Sequence, residues 1–242
     1  RLLGRAAPSV RRLLTEEVTP ELIGSVDIWC PLTPNYDKQS CETRQAAGDE
    51  IWWYVCTGPK APYCGLFIDH SAIEMRMWLW QTWQANVQGV LVWTTNYWTS
   101  DCAYPPPSVQ NPWTDPMGWV SGYSTPIGSK LPWGNGDGRF LYPPNTDPED
   151  TTTPYVTGPV NSIRWEMLRD GMEDYEYLWL LRDTIGRARA RGADAETLAR
   201  AEALLEVSPE VTRSLTEFTK DPAVLLAHRD RVARAIEELS GA

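Results

Sequence analysis

The chain has 242 residues, 42% hydrophobic and 22% charged, enough for one large domain or two small ones with real cores, and too apolar for a disordered segment. Its 22 Lys+Arg against 32 Asp+Glu give a formal net charge of −10, which excludes nucleic acid or an anionic membrane surface as the main partner. The unusual count is 13 Trp and 10 Tyr against 3 Phe. An indole N–H needs a partner, so Trp is a costly core filler. This excess points to flat amphipathic rings at a surface or cleft, of the kind that sugars stack on.

The first residue is Arg, and no stretch approaches the roughly 18 apolar residues of a membrane helix. No signal peptide is visible, and the amphipathic opening run Leu2 to Leu14 reads as the interior of a longer protein. Short apolar runs then recur. Val10 to Leu14 is the weakest, because Arg11 and Arg12 interrupt it; Val26 to Cys30 ends at Pro31, Ile51 to Cys56 before Gly58-Pro59, and Val90 to Trp93 before Thr94-Thr95-Asn96. They are too short for helices and too apolar for half-exposed strands, which predicts buried parallel strands. Helices fall between and after them: one capped by Asp37 and running to about Ala47, one over Ser71 to Val87 with Ser71 and Glu74 spaced as a capping box, and one from Ser162 to about Arg191. The alternation predicts an α/β fold with a parallel sheet.

Residues 94–160 are too many for an ordinary connection, and their prolines and aromatics predict a packed excursion over the strand ends. Composition then changes. Residues 31–160 hold 16 of the 20 prolines, whereas 161–242 hold 28 charged residues and no Trp after Trp179. Amphipathic helices are read at 194–207, 209–219 and 222–240, so the expected division is a domain over 1–191 and a C-terminal helical extension over 192–242.

Ligands of parallel sheets collect at the carboxyl ends of the strands, and no Gly-rich phosphate loop follows any of these. The candidates there are Trp53 or Tyr54, which alternation puts on opposite faces without saying which faces the cleft, then Trp93, Asn96 and Trp98. Asp69-His70 precedes the second helix. Asp49-Glu50 is an adjacent acidic pair near a strand, but it lies before the strand, on the side away from the expected site. Asp170, Glu173, Asp174 and Glu176, among Arg164, Arg169 and Arg182, read as ion pairs along one helix. The five cysteines match no zinc spacing and read as buried or loop thiols, with one disulfide such as Cys56 to Cys64 left open. No metal site and no cofactor is read.

Taken in order, Glu50-Ile-Trp-Trp-Tyr-Val-Cys56, then Pro62, Asp69, Arg76 and Trp80, then Gly89-Val-Leu-Val-Trp-Thr-Thr-Asn-Tyr-Trp98, then Gly136-Asp-Gly-Arg-Phe-Leu-Tyr-Pro143, then Ser162-Ile-Arg-Trp-Glu-Met-Leu-Arg-Asp-Gly-Met-Glu-Asp-Tyr-Glu-Tyr177, form a specific series. It resembles the C-terminal part of the catalytic domain of glycoside hydrolase family 123 and a related bacterial domain family of unknown function, over nearly the whole chain from about residue 10. The resemblance implies the C-terminal half of a (β/α)8 TIM-like barrel, acting on β-linked N-acetylgalactosamine by a substrate-assisted retaining mechanism. There the substrate's acetamido oxygen attacks the anomeric carbon, a Glu protonates the leaving oxygen, and a neighbouring Asp orients the acetamido group. The family's Asp-Glu pair closes an earlier strand, upstream of these motifs, and no matching pair occurs here. The implied partners are therefore a carbohydrate or glycoconjugate and the missing N-terminal half of the barrel. Asp69 and Glu50 are the carboxylates left to consider within the chain, and a secreted or periplasmic location suits the activity. The alternative is a non-catalytic carbohydrate-binding or scaffold protein on the same fold.

Overall fold

The computed structural model describes residues 2–122, 125–150, 152–153 and 157–241. After a short helix α1 (Leu2–Ala6) come four strands, β1 (Leu13–Leu14), β2 (Ile28–Trp29), β3 (Glu50–Val55) and β4 (Gly89–Val92), all parallel and neighbours in sequence order. Helices α2 (Lys38–Ala46) and α3 (Ile73–Gln84) fill the crossovers. The Asp37 carboxylate caps α2 by accepting the Ser40 N–H at 2.8 Å. The capping box on α3 does not form. Ser71 offers only its backbone carbonyl to the Glu74 N–H, and the Glu74 carboxylate turns back to His70 and Gly65.

Alternation along β3 sorts its side chains. Ile51, Trp53 and Val55 are buried, whereas Glu50, Trp52 and Tyr54 are half-exposed. Trp53 stacks on Trp78 of α3, donates its indole N–H to Thr82 at 3.0 Å, and meets the Tyr36 ring edge-on. Cys41 of α2 belongs to the same buried cluster. Strands that advance in one direction through right-handed crossovers put successive helices on the same face. Helices thus cover one face of the sheet; β2 is buried on both sides as expected, whereas β3 and β4 keep half-exposed residues on the other face, which corrects the expectation for those two strands. On the other face the Trp52 indole lies across Gly89, where a Cβ would come within 2.3 Å of the ring. Tyr54 and Leu91 sit beside each other in register on that face, both half-exposed.

The excursion after β4 contains an antiparallel pair, β5 (Met117–Val120) with β6 (Leu131–Asn135), and a short pair, β7 (Leu141–Tyr142) with β8 (Val160–Asn161). The Ser162 hydroxyl then caps α4 (Ile163–Ala190) by accepting the Trp165 N–H. Along α4, Arg169 pairs with Glu166 and Glu173 as the spacing predicts. Asp174 instead turns inward to Arg76 and Arg229, Arg164 binds backbone carbonyls, and Arg182 lies over the Trp83 ring.

Helix α5 (Ala195–Ala203) follows. The helix expected over 209–219 is instead a hairpin of β9 (Thr212–Ser214) and β10 (Glu217–Phe218). Its hydroxyls bond their own backbone, as when Ser214 Oγ accepts the N–H groups of Thr216 and Glu217, and such local bonds compete with a helix. Gln81 of α3 then ties the hairpin down through Thr212 and the Ser214 carbonyl. Asp221 caps α6 (Pro222–Ser240) through the Ala223 N–H. Leu198, Val211, Leu225, Val232 and Leu239 from this C-terminal segment share one buried cluster with Trp80 and Leu178. All five cysteines are free thiols, so the Cys56 to Cys64 bridge is not made. Burial pushes the Cys30 thiol up to about 12 and Cys41 to about 11. Among the described residues, no helix is long and apolar enough to cross a membrane.

Candidate functional site

The loops after β3 and β4 meet over the carboxyl ends of the strands. Trp93 directly follows β4, its N–H donating to the Val55 carbonyl at 2.9 Å, and its side chain is 64% exposed. Thr95 accepts the N–H groups of Phe140 and Leu141, Tyr97 donates to the Gly138 carbonyl, and Asn96 forms a β-bridge with Arg139. The indole of Trp98 donates to the Leu141 carbonyl at 2.8 Å. The segment 93–98 is therefore held against the Gly136-to-Leu141 turn. Trp93 and Tyr97 stay exposed there, and Trp98 acts as a strut.

Two buried arginines hold that turn. Gly136 has φ +79°, and a Cβ on it would come within 2.6 Å of Ile68 and 2.7 Å of the Arg164 guanidinium, so glycine is required on both counts. Arg164 donates to the carbonyls of Leu66 at 2.7 Å, Gly136 at 2.9 Å and Arg139 at 2.6 Å, joining the loop after β3 to the loop after β4. Arg139 donates to Ser100 Oγ, Gln110 Oε1 and the Asp137 carbonyl, with its guanidinium over the Tyr97 ring. Burial lowers the pKa of both arginines. Asp137 sits between them with one carboxylate oxygen unpartnered, and burial pushes its carboxyl up to about 6 against their pull.

The other candidates separate clearly. Trp53 is wholly buried beneath α3, so it faces the core, and Tyr54 is the member of the pair that faces the uncovered side. Asp49 and Glu50 lie at the amino ends of the strands in structural pairs. Asp49 accepts from Arg44 at 2.7 Å and from the Trp29 indole at 2.8 Å, and Glu50 accepts from Arg11 at 2.6 Å. Asp69 is on the carboxyl side, where it accepts from Asn135 at 3.2 Å.

Sequence reasoning missed the supports behind Asp69. His70 Nδ1 lies 2.6 Å from Glu74, which is almost fully buried and also accepts the Gly65 N–H and pairs with Lys220 from the segment before α6. The spacing of His70 and Glu74, four apart at a helix start, was the available signal. Asn135 and Lys220 had none. Among the described residues, no group of three or more His, Cys, Asp or Glu is placed to hold a metal ion.

The family model of the glycoside hydrolase 123 catalytic domain matches residues 15–181, which includes β2, β3 and β4, the helices α2 and α3, the excursion and most of α4. The chain belongs to this family. Glycoside hydrolase 123 membership makes a carbohydrate the substrate class and accounts for the ordered motif series from Glu50 to Tyr177. The matched span takes in Tyr54, Asp69, Trp93, Asn96 and Trp98, together with the Arg139 and Arg164 hubs. A comparison with curated protein sequences returns no match.

Proposed function

We propose that this chain is the sugar-holding part of a glycoside hydrolase for β-linked 2-acetamido sugars of the N-acetylgalactosaminide type, working by the substrate-assisted retaining route. The observation that carries this reading is the strand order. Four parallel strands, neighbours in sequence order with their helices on one face, suit a segment of a (β/α)8 barrel better than a doubly wound sheet, which reverses its order and carries helices on both faces. The uncovered face with Trp52, Tyr54 and Leu91 would then be the barrel interior, and the N-terminal half of the barrel would cover it. Trp93 and Tyr54 would form the wall on which the sugar packs, with Asn96 a polar contact. The Asp-Glu pair of the mechanism would come from that other half.

The test is hydrolysis by the full-length protein. It should release nitrophenol from a nitrophenyl β-N-acetylgalactosaminide, and a thiazoline analogue of the oxazolinium should inhibit it competitively. Full activity without that inhibition would overturn the substrate-assisted route. The second reading, a non-catalytic carbohydrate binder, is favoured by one observation: the adjacent acidic pair Asp49-Glu50 is spent in ion pairs at the wrong end of the sheet. Binding of the sugar without turnover would decide for it.

A further inference from the structure

A separate concavity of about 480 Å³ opens between the loop after β3 and the β5–β6 hairpin, within the size range of small-molecule sites. Lys60, Phe67, Asp69 and His70 line it from the loop, and Trp133 and Asn135 from the hairpin. We propose that this cavity is a second saccharide subsite, which takes a neutral hexose of the glycan next to the 2-acetamido sugar held at the strand ends. This inference rests on the glycoside hydrolase reading above.

Three features select that ligand. Asp69 Oδ1 and Asn135 Nδ2 stand side by side at 3.2 Å, an acceptor beside a donor, which matches a vicinal diol whose hydroxyls each give and take a hydrogen bond. The imidazole of His70 is fixed behind them. Nδ1 is engaged by the buried Glu74, itself held by Gly65 and Lys220, so Nε2 is the ring atom left for a third hydroxyl. Trp133 supplies the aromatic surface on which the C–H face of a pyranose packs, while Phe67, 3% exposed with Lys60 over its ring and His70 edge-on to it, belongs to the core beneath.

Charge and position narrow it further. Asp69 and Lys60 are opposite charges on the same wall, and Glu74 behind His70 is paired with Lys220, so the cavity favours an uncharged guest over a uronic acid or an amine. It also adjoins the strand-end cluster through one short turn. Asn135 lines the cavity, and Arg139, four residues on, bridges Asn96 beside Trp93. In this proposal a glycan with its 2-acetamido sugar against Trp93 continues over that turn into the cavity.

The test is equilibrium binding to the intact protein of two uncleavable sulfur-linked probes: a methyl thioglycoside of β-N-acetylgalactosamine, and the same sugar thio-linked to lactose. The lactose-extended probe should bind at least about tenfold tighter, the worth of one or two good hydrogen bonds. Asp69→Asn and Asn135→Ala should each erase most of that gain and leave the monosaccharide probe within twofold. Equal affinity for the two probes, no binding of the extended probe, or a gain that survives both variants would overturn the subsite. A parallel loss of both probes in the variants would overturn it too, since it would place Asp69 at the first sugar. Nitrophenyl glycoside hydrolysis reads the parent function separately: a gain in an inactive protein keeps the subsite and removes the hydrolase reading, and an active protein without the gain does the reverse.

Discussion

Asp174 of α4 receives Arg76 of α3 through two hydrogen bonds, Nε at 2.6 Å and Nη2 at 2.9 Å. The same carboxylate accepts the Trp80 indole N–H at 2.9 Å and pairs with Arg229 of α6 at 2.8 Å, with its side chain only 1% exposed. One carboxylate thus joins the crossover helix α3 to the long helix α4 and to the C-terminal helix α6. The hydrogen bonds that Arg76 donates to Asp174 also raise its pKa above the usual arginine value.

Removing that carboxylate leaves the Arg229 guanidinium and the Trp80 indole without this partner, and leaves Arg76 with only the longer contact to Asp170 at 3.6 Å, in a largely buried setting. Asp174→Ala should therefore cost about 3 to 5 kcal/mol, the penalty for uncompensated buried charge rather than the worth of one contact. Urea unfolding of the variant beside the parent measures it. A loss under about 1 kcal/mol would show that water reaches the site and that the joint is dispensable.

A different carboxyl sets a pH dependence. Burial pushes Asp137 up to about 6, against the lowering pull of Arg139 and Arg164, while an unfolded chain holds Asp near about 3.9. The folded state therefore binds the proton more tightly. Its contribution to stability is complete below about pH 4 and is lost as the pH rises through about 6. Asp137→Asn, which keeps the neutral shape, should be more stable than the parent at pH 7 by about 2 to 3 kcal/mol, with the difference vanishing near pH 4. Denaturation midpoints at pH 4, 5, 6 and 7 give the curve. Parallel curves for the two proteins would mean that Asp137 ionises normally.

The strands β2 to β4 were legible because their apolar runs stop at Pro, Gly or Thr-Asn, and the helices because Asp37, Ser162 and Asp221 are real caps. What misled was chemistry satisfied at a distance. The Ser71 and Glu74 spacing fits a capping box, yet Glu74 finds Lys220, far along the chain, and that ion pair, with the Gly65 N–H and His70, outweighs one helix-end N–H. Trp53 and Tyr54 were known to point apart, but only the position of α3 decides which is core. The tryptophan excess also divides. Trp29, Trp53, Trp80, Trp83 and Trp98 each give the indole N–H to a named acceptor, so these serve as staples of the fold, and Trp93 is left as the exposed ring at the strand ends.

Gly89 tests the packing of the uncovered sheet face. A methyl group there would lie 2.3 Å from the Trp52 indole, so Gly89→Ala forces the ring off the sheet. Overpacking of this kind costs about 1 to 3 kcal/mol. Trp52→Ala made in the same background should recover most of the penalty caused by the added methyl, because the clash has one source. Additive losses in that double-mutant comparison would mean that Trp52 does not lie across Gly89.

The strand-end aromatics make opposite predictions for stability and binding. Trp53 is wholly buried, stacked on Trp78 and bonded to Thr82, so Trp53→Ala should lose about 3 to 5 kcal/mol as a large-to-small core change. Trp93, at 64% exposed, has little core to lose, and Trp93→Ala should stay within about 0.5 kcal/mol of the parent in unfolding. Its effect should appear in the ligand instead. If the indole is the platform for the 2-acetamido sugar, the variant should bind the methyl thioglycoside about tenfold more weakly, the equivalent of about 1.4 kcal/mol of stacking. Unfolding and binding measured on the same two variants keep the roles apart. A Trp93→Ala protein that binds normally would remove the strand-end wall from the sugar site, because no other exposed indole adjoins β4 among the described residues.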